Sequence, residues 1–211
     1  SFVKDVLFPF AAKHVDDFLN TSLGREHIPA ISGMANSEGK PLKSNSVEDV
    51  ASYVKDCIKR DVKHAALKNL QGHIWKEAYE AGALRASVFA DVPHCFGRLR
   101  HAGISVSIYS SGSREAQKLL FKHSDRGDMR DDISCYFDTS SGPKREMRSY
   151  KEICLSLGVD SPDDVLFITD IIEEAIAAKQ AGVCAVISSR PGNAALSPGH
   201  SFQVISSFDE L

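Results

Sequence analysis

From about Ala86 onward, short apolar runs alternate with amphipathic stretches, the pattern of strand-helix-strand units and of a mostly parallel sheet covered by helices. Ile104 to Ser110 reads as a strand, and Ser113 to Lys122 follows as a helix with Ala116, Leu119 and Leu120 on one face. Cys135 to Phe137 is a short strand, and Glu146 to Leu157 carries Tyr150, Ile153, Cys154 and Leu157 at helical spacing. Val165 to Thr169 is the clearest buried strand. The Ala- and Glu-rich stretch Glu173 to Ala181 predicts a helix, with Gly182 where a helix-stopping glycine belongs. Cys184 to Ser188 and the shorter Gln203 to Ile205 are the remaining strands.

The front of the chain has another rhythm. Lys4 to Leu19 predicts a helix, Asn20 to Ser46 reads as loop from its Gly, Ser, Pro and Asn, and Val47 to Ala81 returns to helix. Val50, Val54, Cys57 and Ile58 form one apolar stripe there, and Leu67, Leu70, Ile74 and Trp75 another. With no strand signal, this half predicts a small helical domain joined to the α/β half near Leu84 to Asp91.

Composition narrows the function classes. With 43% hydrophobic and 25% charged residues, the chain has the balance of a soluble globular protein. A net charge of -3 and no long run of like charges leave no broad footprint for nucleic acid or an anionic membrane. No apolar stretch matches a membrane span, and Ser1 to Asp5 lacks a basic lead into an apolar run. The five cysteines form no CxxC pair, and Cys154 and Cys184 stand in surroundings typical of reduced, buried thiols, so a reducing, cytoplasmic setting is expected. The eight histidines show no HExxH spacing, which argues against zinc.

Candidate chemistry gathers at the predicted strand ends, where ligands bind in open parallel sheets. Ser110-Ser111-Gly112-Ser113, between a strand and a helix start, offers hydroxyls and N–H groups suited to phosphate; alternatively Ser113 is a helix cap and its neighbours turn residues. The single glycine does not make a GxxxxGK[ST] loop. Lys144, after Gly142-Pro143, either neutralises a phosphoryl group or is a solvated surface charge. Asp170, directly after the most apolar strand, either offers a hard cation a carboxylate or caps the next helix. Glu173 and Glu174 read as first-turn acids, with Glu174 a weaker candidate beside the site. The last cluster is Arg190-Pro191-Gly192-Asn193.

Taken in order, Ile108 to Ser113, Ala116 to Phe121, Phe137-Asp138-Thr139 with Gly142 and Lys144, Phe167 to Asp170, and Arg190 to Ala194 resemble the enolase-phosphatases, or acireductone synthases, of the haloacid dehalogenase-like superfamily. Phe2 to Pro9 and Leu67 to Trp75, with its Gln71-Gly72-His73-Ile74-Trp75, carry the resemblance into the front half. The similarity is closest to the plant form fused to a dehydratase. It implies an α/β Rossmann-like core with a helical cap domain: 1–20 a helix, 21–85 the cap, 86–211 the core. It also implies Mg2+ and a small phosphorylated substrate, 2,3-diketo-5-methylthiopentyl-1-phosphate, converted to the acireductone of methionine salvage. By resemblance Ser110 and Ser111 hold the phosphate, Lys144 binds it and stabilises its charge in catalysis, and Asp170 binds Mg2+.

The family's attacking aspartate belongs to an Asp-x-Glu-Gly-Thr motif on the first core strand, a few residues before the run matched by Phe2 to Asp5, and Ser1 opens the chain after it. The expectation is therefore a core whose first strand is missing, inactive without that motif, and part of a longer protein that could include an upstream dehydratase domain. Two other readings stay open. One is an inactive relative serving as a binding or scaffold module; the other is a general sugar-phosphate phosphatase, against which Gln71 to Trp75 speaks.

Overall fold

The longer helices of the front half owe their place to apolar stripes that share one interior. The structure, a computed structural model, describes residues 2–211, and the chain divides into two compact units, Ser1–Ala86 and Ser87–Leu211. In the first, a π-helical turn at Val3–Leu7 runs into α1 (Phe8–Leu19), followed by α2 (Ser22–Arg25), α3 (Ile28–Ser37), α4 (Val47–Lys59) and α5 (Ala65–Glu80). Val15, Phe18 and Leu19 of α1 pack with Ile31 and Met34 of α3, Val50, Val54 and Cys57 of α4, and Leu67, Leu70 and Ile74 of α5. Ser46 caps α4 by accepting from Asp49 N–H at 3.3 Å, and Glu48 and Asp49 sit favourably at its positive end. Trp75 Nε1 donates to Leu7 O at 2.9 Å, tying α5 to the start of α1.

Two expectations for this half are corrected. The segment read as loop contains α2 and α3: Pro29 lies in the first turn of α3, where a missing N–H is harmless, and Ile31, Met34 and Ala35 bury one face. The stretch read as continuous helix from Val47 to Ala81 breaks after Lys59. Asp61 takes the left-handed conformation, φ 55°, while Val62 N–H donates to Cys57 O at 3.0 Å, the closing bond of a helix C-terminus.

The second unit opens with α6 (Asp91–His101), then β1 (Ser107–Tyr109), α7 (Arg114–Lys122), β2 (Cys135–Phe137), α8 (Met147–Leu157), β3 (Leu166–Thr169), α9 (Ile172–Gln180), β4 (Cys184–Ser188) and β5 (Val204–Ile205). All pairs among the described strands are parallel; the β1–β2 and β3–β4 crossovers carry α7 and α9, and β4 reaches β5 through a long connection without a helix. β1 pairs with β2, with Ile108 opposite Tyr136, and β3, β4 and β5 form a second sheet in that order, with Ile168 opposite Val186. Among the described strands β1 and β3 each keep one edge unpaired. One small core gathers Tyr150 and Cys154 of α8, Ala177 and Ala178 of α9 and Val183 around Phe167; another joins Val92 and Phe96 of α6 to Met129, Ile133 and Ile108.

Sequence reading did not anticipate α6, because Pro93 and Gly97 interrupt it. Pro93 falls in its first turn and costs no intrahelical bond, while Val92, Cys95 and Phe96 bury one face. Cys184, expected to be buried, is exposed at the start of β4, whereas Cys154 is buried as expected. No described helix is long and apolar enough to cross a membrane.

Candidate active site

The carboxyl ends of β1 and β2, with the loops that follow, border a cleft of about 320 Å³ lined by Tyr109, Ser110, Ser111, Thr139, Gly142, Pro143, Lys144, Arg145 and Glu174. Ser110 extends the β1 pairing, its N–H donating to Phe137 O at 3.0 Å. Its hydroxyl accepts from Gly112 N–H at 3.1 Å, and Ser113 caps α7 by accepting from Ala116 N–H at 3.2 Å. The turn and cap roles weighed for this loop are therefore both present, and Ser110 and Ser111 still face the cleft. Buried Gln117 braces the loop from below, its amide donating to Gly112 O and Phe137 O, each at 2.9 Å.

The Lys144 loop is held by three hydroxyls on three successive carbonyls. Tyr109 donates to Gly142 O at 2.7 Å, Ser149 to Pro143 O at 2.7 Å, and Tyr150 to Lys144 O at 2.6 Å. Burial pushes both tyrosines above their ordinary pKa, and Glu174 adds to the effect at each, so they act here as donors. Gly142 has φ 104°, and a Cβ there would lie 2.3 Å from Ser149 Oγ, so only glycine suits the turn. Lys144 Nζ lies 3.5 Å from Glu174 Oε2 and 5.6 Å from the Tyr109 ring centroid. The same Glu174 oxygen accepts from Thr169 Oγ1 at 2.7 Å, joining the end of β3 to the lysine. An ammonium over an aromatic face, with one carboxylate partner and serine hydroxyls lining the same cleft, is a surface suited to a phosphate monoester.

Asp170 is placed differently from its neighbours. It is exposed, does not line the cleft, and does not cap α9, whose N-cap is Ile171 with no side-chain bond. The capping alternative for Asp170 is thus corrected: its Oδ2 instead accepts from Asn193 Nδ2 at 2.8 Å. The structure therefore brings Ser110, Ser111 and Lys144 together and sets Asp170 one residue beyond Thr169, at the same end of β3. Sequence reasoning missed Arg145, a second cation on the cleft, and the supporting Ser149, Tyr150 and Gln117. Only Gln117 left a signal, a polar group on the buried side of α7.

A model of a hydrolase family, the haloacid dehalogenase-like hydrolases, matches residues 17–182. The chain belongs to the haloacid dehalogenase-like hydrolases. Their α/β fold of parallel core strands with flanking helices is the one described above. Among solved structures, the UTR4 protein of Saccharomyces cerevisiae superposes with a TM-score of 0.83 at 32% identity, over 100% of this chain and 93% of that one. CbbY from Rhodobacter sphaeroides, solved with phosphate, shares the fold at a TM-score of 0.59 and 14% identity, over 90% of each chain. Among curated proteins, the probable bifunctional methylthioribulose-1-phosphate dehydratase/enolase-phosphatase E1 of Arabidopsis thaliana is 43% identical over all of this chain and 45% of its own length. The Zea mays protein of that name is 45% identical, with 44% of its length covered. The chain thus spans about half the length of the curated relatives it matches.

Proposed function

We propose that this hydrolase is the enolase-phosphatase part of methionine salvage, acting on 2,3-diketo-5-methylthiopentyl-1-phosphate and releasing phosphate to give the acireductone. The carrying observation is the one cleft that Ser110, Ser111 and Lys144 all line, supported by full-chain identity of over 40% to proteins named for that activity. In this reading Ser110 and Ser111 donate to the phosphate oxygens, and Lys144 neutralises the charge that grows on the phosphoryl group in the transition state. Glu174 keeps the ammonium aimed and leaves its other donors for substrate.

Asp170 offers a carboxylate, and Mg2+ is commonly held by one or two carboxylates together with substrate phosphate and water. Asp170 fits the protein's share of that division: it is exposed at the carboxyl end of β3, with Oδ2 held by Asn193 Nδ2 at 2.8 Å. When bound, Mg2+ would supply Lewis-acid stabilisation of phosphate charge. The helical unit would act as the substrate-selecting cap, a dehydratase would share the polypeptide as in the plant relatives, and the setting would be cytoplasmic.

The test is phosphate release from the diketo phosphate by the full-length protein with Mg2+, beside a panel of sugar phosphates. Turnover of the diketo substrate, lost in Asp170→Ala and Lys144→Ala, supports the reading. Equal turnover of the sugar phosphates sinks the substrate assignment, and no turnover of any phosphate leaves a binding module in its place.

A further inference from the structure

The Arg190-Pro191-Gly192-Asn193 turn after β4 takes no part in the cleft, yet it reaches Asp170. Asn193 Nδ2 donates to Asp170 Oδ2 at 2.8 Å, and Asn193 Oδ1 accepts from Arg190 N–H at 2.6 Å. A backbone N–H only donates and a carboxylate only accepts, so the two bonds together fix which end of the amide is which. The turn is closed by Asn193 N–H donating to Arg190 O at 3.0 Å, with Gly192 at φ 90°.

Its other end is clamped. The Arg190 guanidinium pairs closely with Asp91, donates to Ser206 O at 2.7 Å, and lies between the Phe89 and Phe208 rings at 4.9 and 4.8 Å from their centroids. Asp91 also accepts from Phe208 N–H at 2.6 Å and Ser207 Oγ at 3.2 Å. Burial alone would raise the Asp91 pKa, but Arg190 and the Phe208 N–H bring it down to about 2. The Asn193 amide is therefore held by contacts made well away from Asp170.

We infer that Asn193 is a positioning residue for Asp170: it occupies one carboxylate oxygen and leaves Oδ1 to be offered, one-sided, to a hard divalent cation. The inference rests on the reading of Asp170 as the Mg2+ ligand. The Asn193 amide presents its nitrogen, not its oxygen, to Asp170; Oδ1 is turned to Arg190 N–H. Partners of this kind typically carry 10–100-fold in metal affinity, since they fix the direction of the ligand.

The experiment titrates Mn2+ alone into the full-length protein, with free Mn2+ read by electron paramagnetic resonance, and follows orthophosphate binding and Tm in parallel. Asn193→Ala is expected to weaken Mn2+ binding by about 10-fold or more and to leave orthophosphate affinity and Tm as in the wild type. Mn2+ affinity within about twofold of wild type, or a parallel fall in Tm and orthophosphate affinity, overturns the inference and makes the turn purely architectural. Asp170→Ala separates the two readings. If it leaves Mn2+ binding intact, the metal assignment itself fails; if it abolishes binding while Asn193→Ala does not, only the positioning role fails. Should Asn193→Ala not fold, the wild-type side-chain amide resonances of Asn193 serve instead: they should move on Mg2+ addition and not on phosphate alone, and no movement with Mg2+ overturns the inference.

Discussion

The helical unit and the α/β unit are held together by different means. In the first, one apolar cluster runs through α1, α3, α4 and α5, with Leu19, Ile31, Val54, Leu67 and Leu70 almost wholly removed from water. In the second, the cores are small and the loops that matter are fastened by side chains bonded to main-chain carbonyls. An apolar interior is non-directional and tolerates volume-conserving change, whereas a hydroxyl on a carbonyl fixes one loop in one place. The first arrangement supplies stability; the second supplies geometry.

Substitutions in each unit sharpen that contrast. Lys144→Ala should lower phosphate release by on the order of 10²- to 10³-fold, the usual cost of one stabilising charge or donor, with little change in stability. A large fall in Tm would mean that Lys144 is structural, and the contrast would break. Leu70→Ala should do the reverse, destabilising the helical unit by about 3 kcal/mol through the cavity it leaves. Trp75, the sole tryptophan and a residue of α5, reports it directly: the urea midpoint of its fluorescence should fall while orthophosphate binding persists.

Smaller effects probe the supports. Tyr150→Phe removes one donor from Lys144 O and should cost about 1 kcal/mol of stability, yet lower kcat more than this change would suggest if the loop loses its aim. Unchanged kcat would show that the two remaining hydroxyls suffice. The smallest effect is one of pH. His27 Nε2 and His73 Nδ1 are 2.7 Å apart, and burial, together with His73, holds the His27 pKa below its ordinary 6.5 against a weaker pull from Glu26. The unfolded chain therefore binds a proton that the folded chain resists, so this contribution is present above about pH 6.5 and is lost as pH falls below it. Acidification from pH 7.5 to 5.5 should lower the Trp75 transition midpoint, and His27→Gln should flatten that slope; an equal slope in both would rule the pair out.

Much of this was legible in the sequence where periodicity was strong. β2, β4 and α7 fall where the apolar runs and spacings put them, within a residue at each end. α3 was hidden because Ser32, Gly33, Asn36 and Ser37 are turn-formers by composition, and only burial of Ile31, Met34 and Ala35 overrides them. Ser110 and Ser111 could be singled out because hydroxyls stand just beyond a strand end, a position that carries meaning without any partner, whereas Lys144 stands out chiefly by the family resemblance. Their supports could not. Tyr150 reads as one apolar position on α8, and that its hydroxyl ends 2.6 Å from Lys144 O depends on tertiary packing alone. Asp170 fitted a capping pattern equally well, and only the fold shows its oxygen turned to Asn193.

The exposure of Cys184 has a practical consequence. It opens β4 opposite Leu166, at the far end of that sheet from Thr169 and the Glu174 contact, while Cys57, Cys95 and Cys154 are buried and Cys135 is half-buried. A maleimide dye should couple there first, giving the α/β unit a fluorescent label on the side away from the cleft, where it can report ligand arrival without standing in its path.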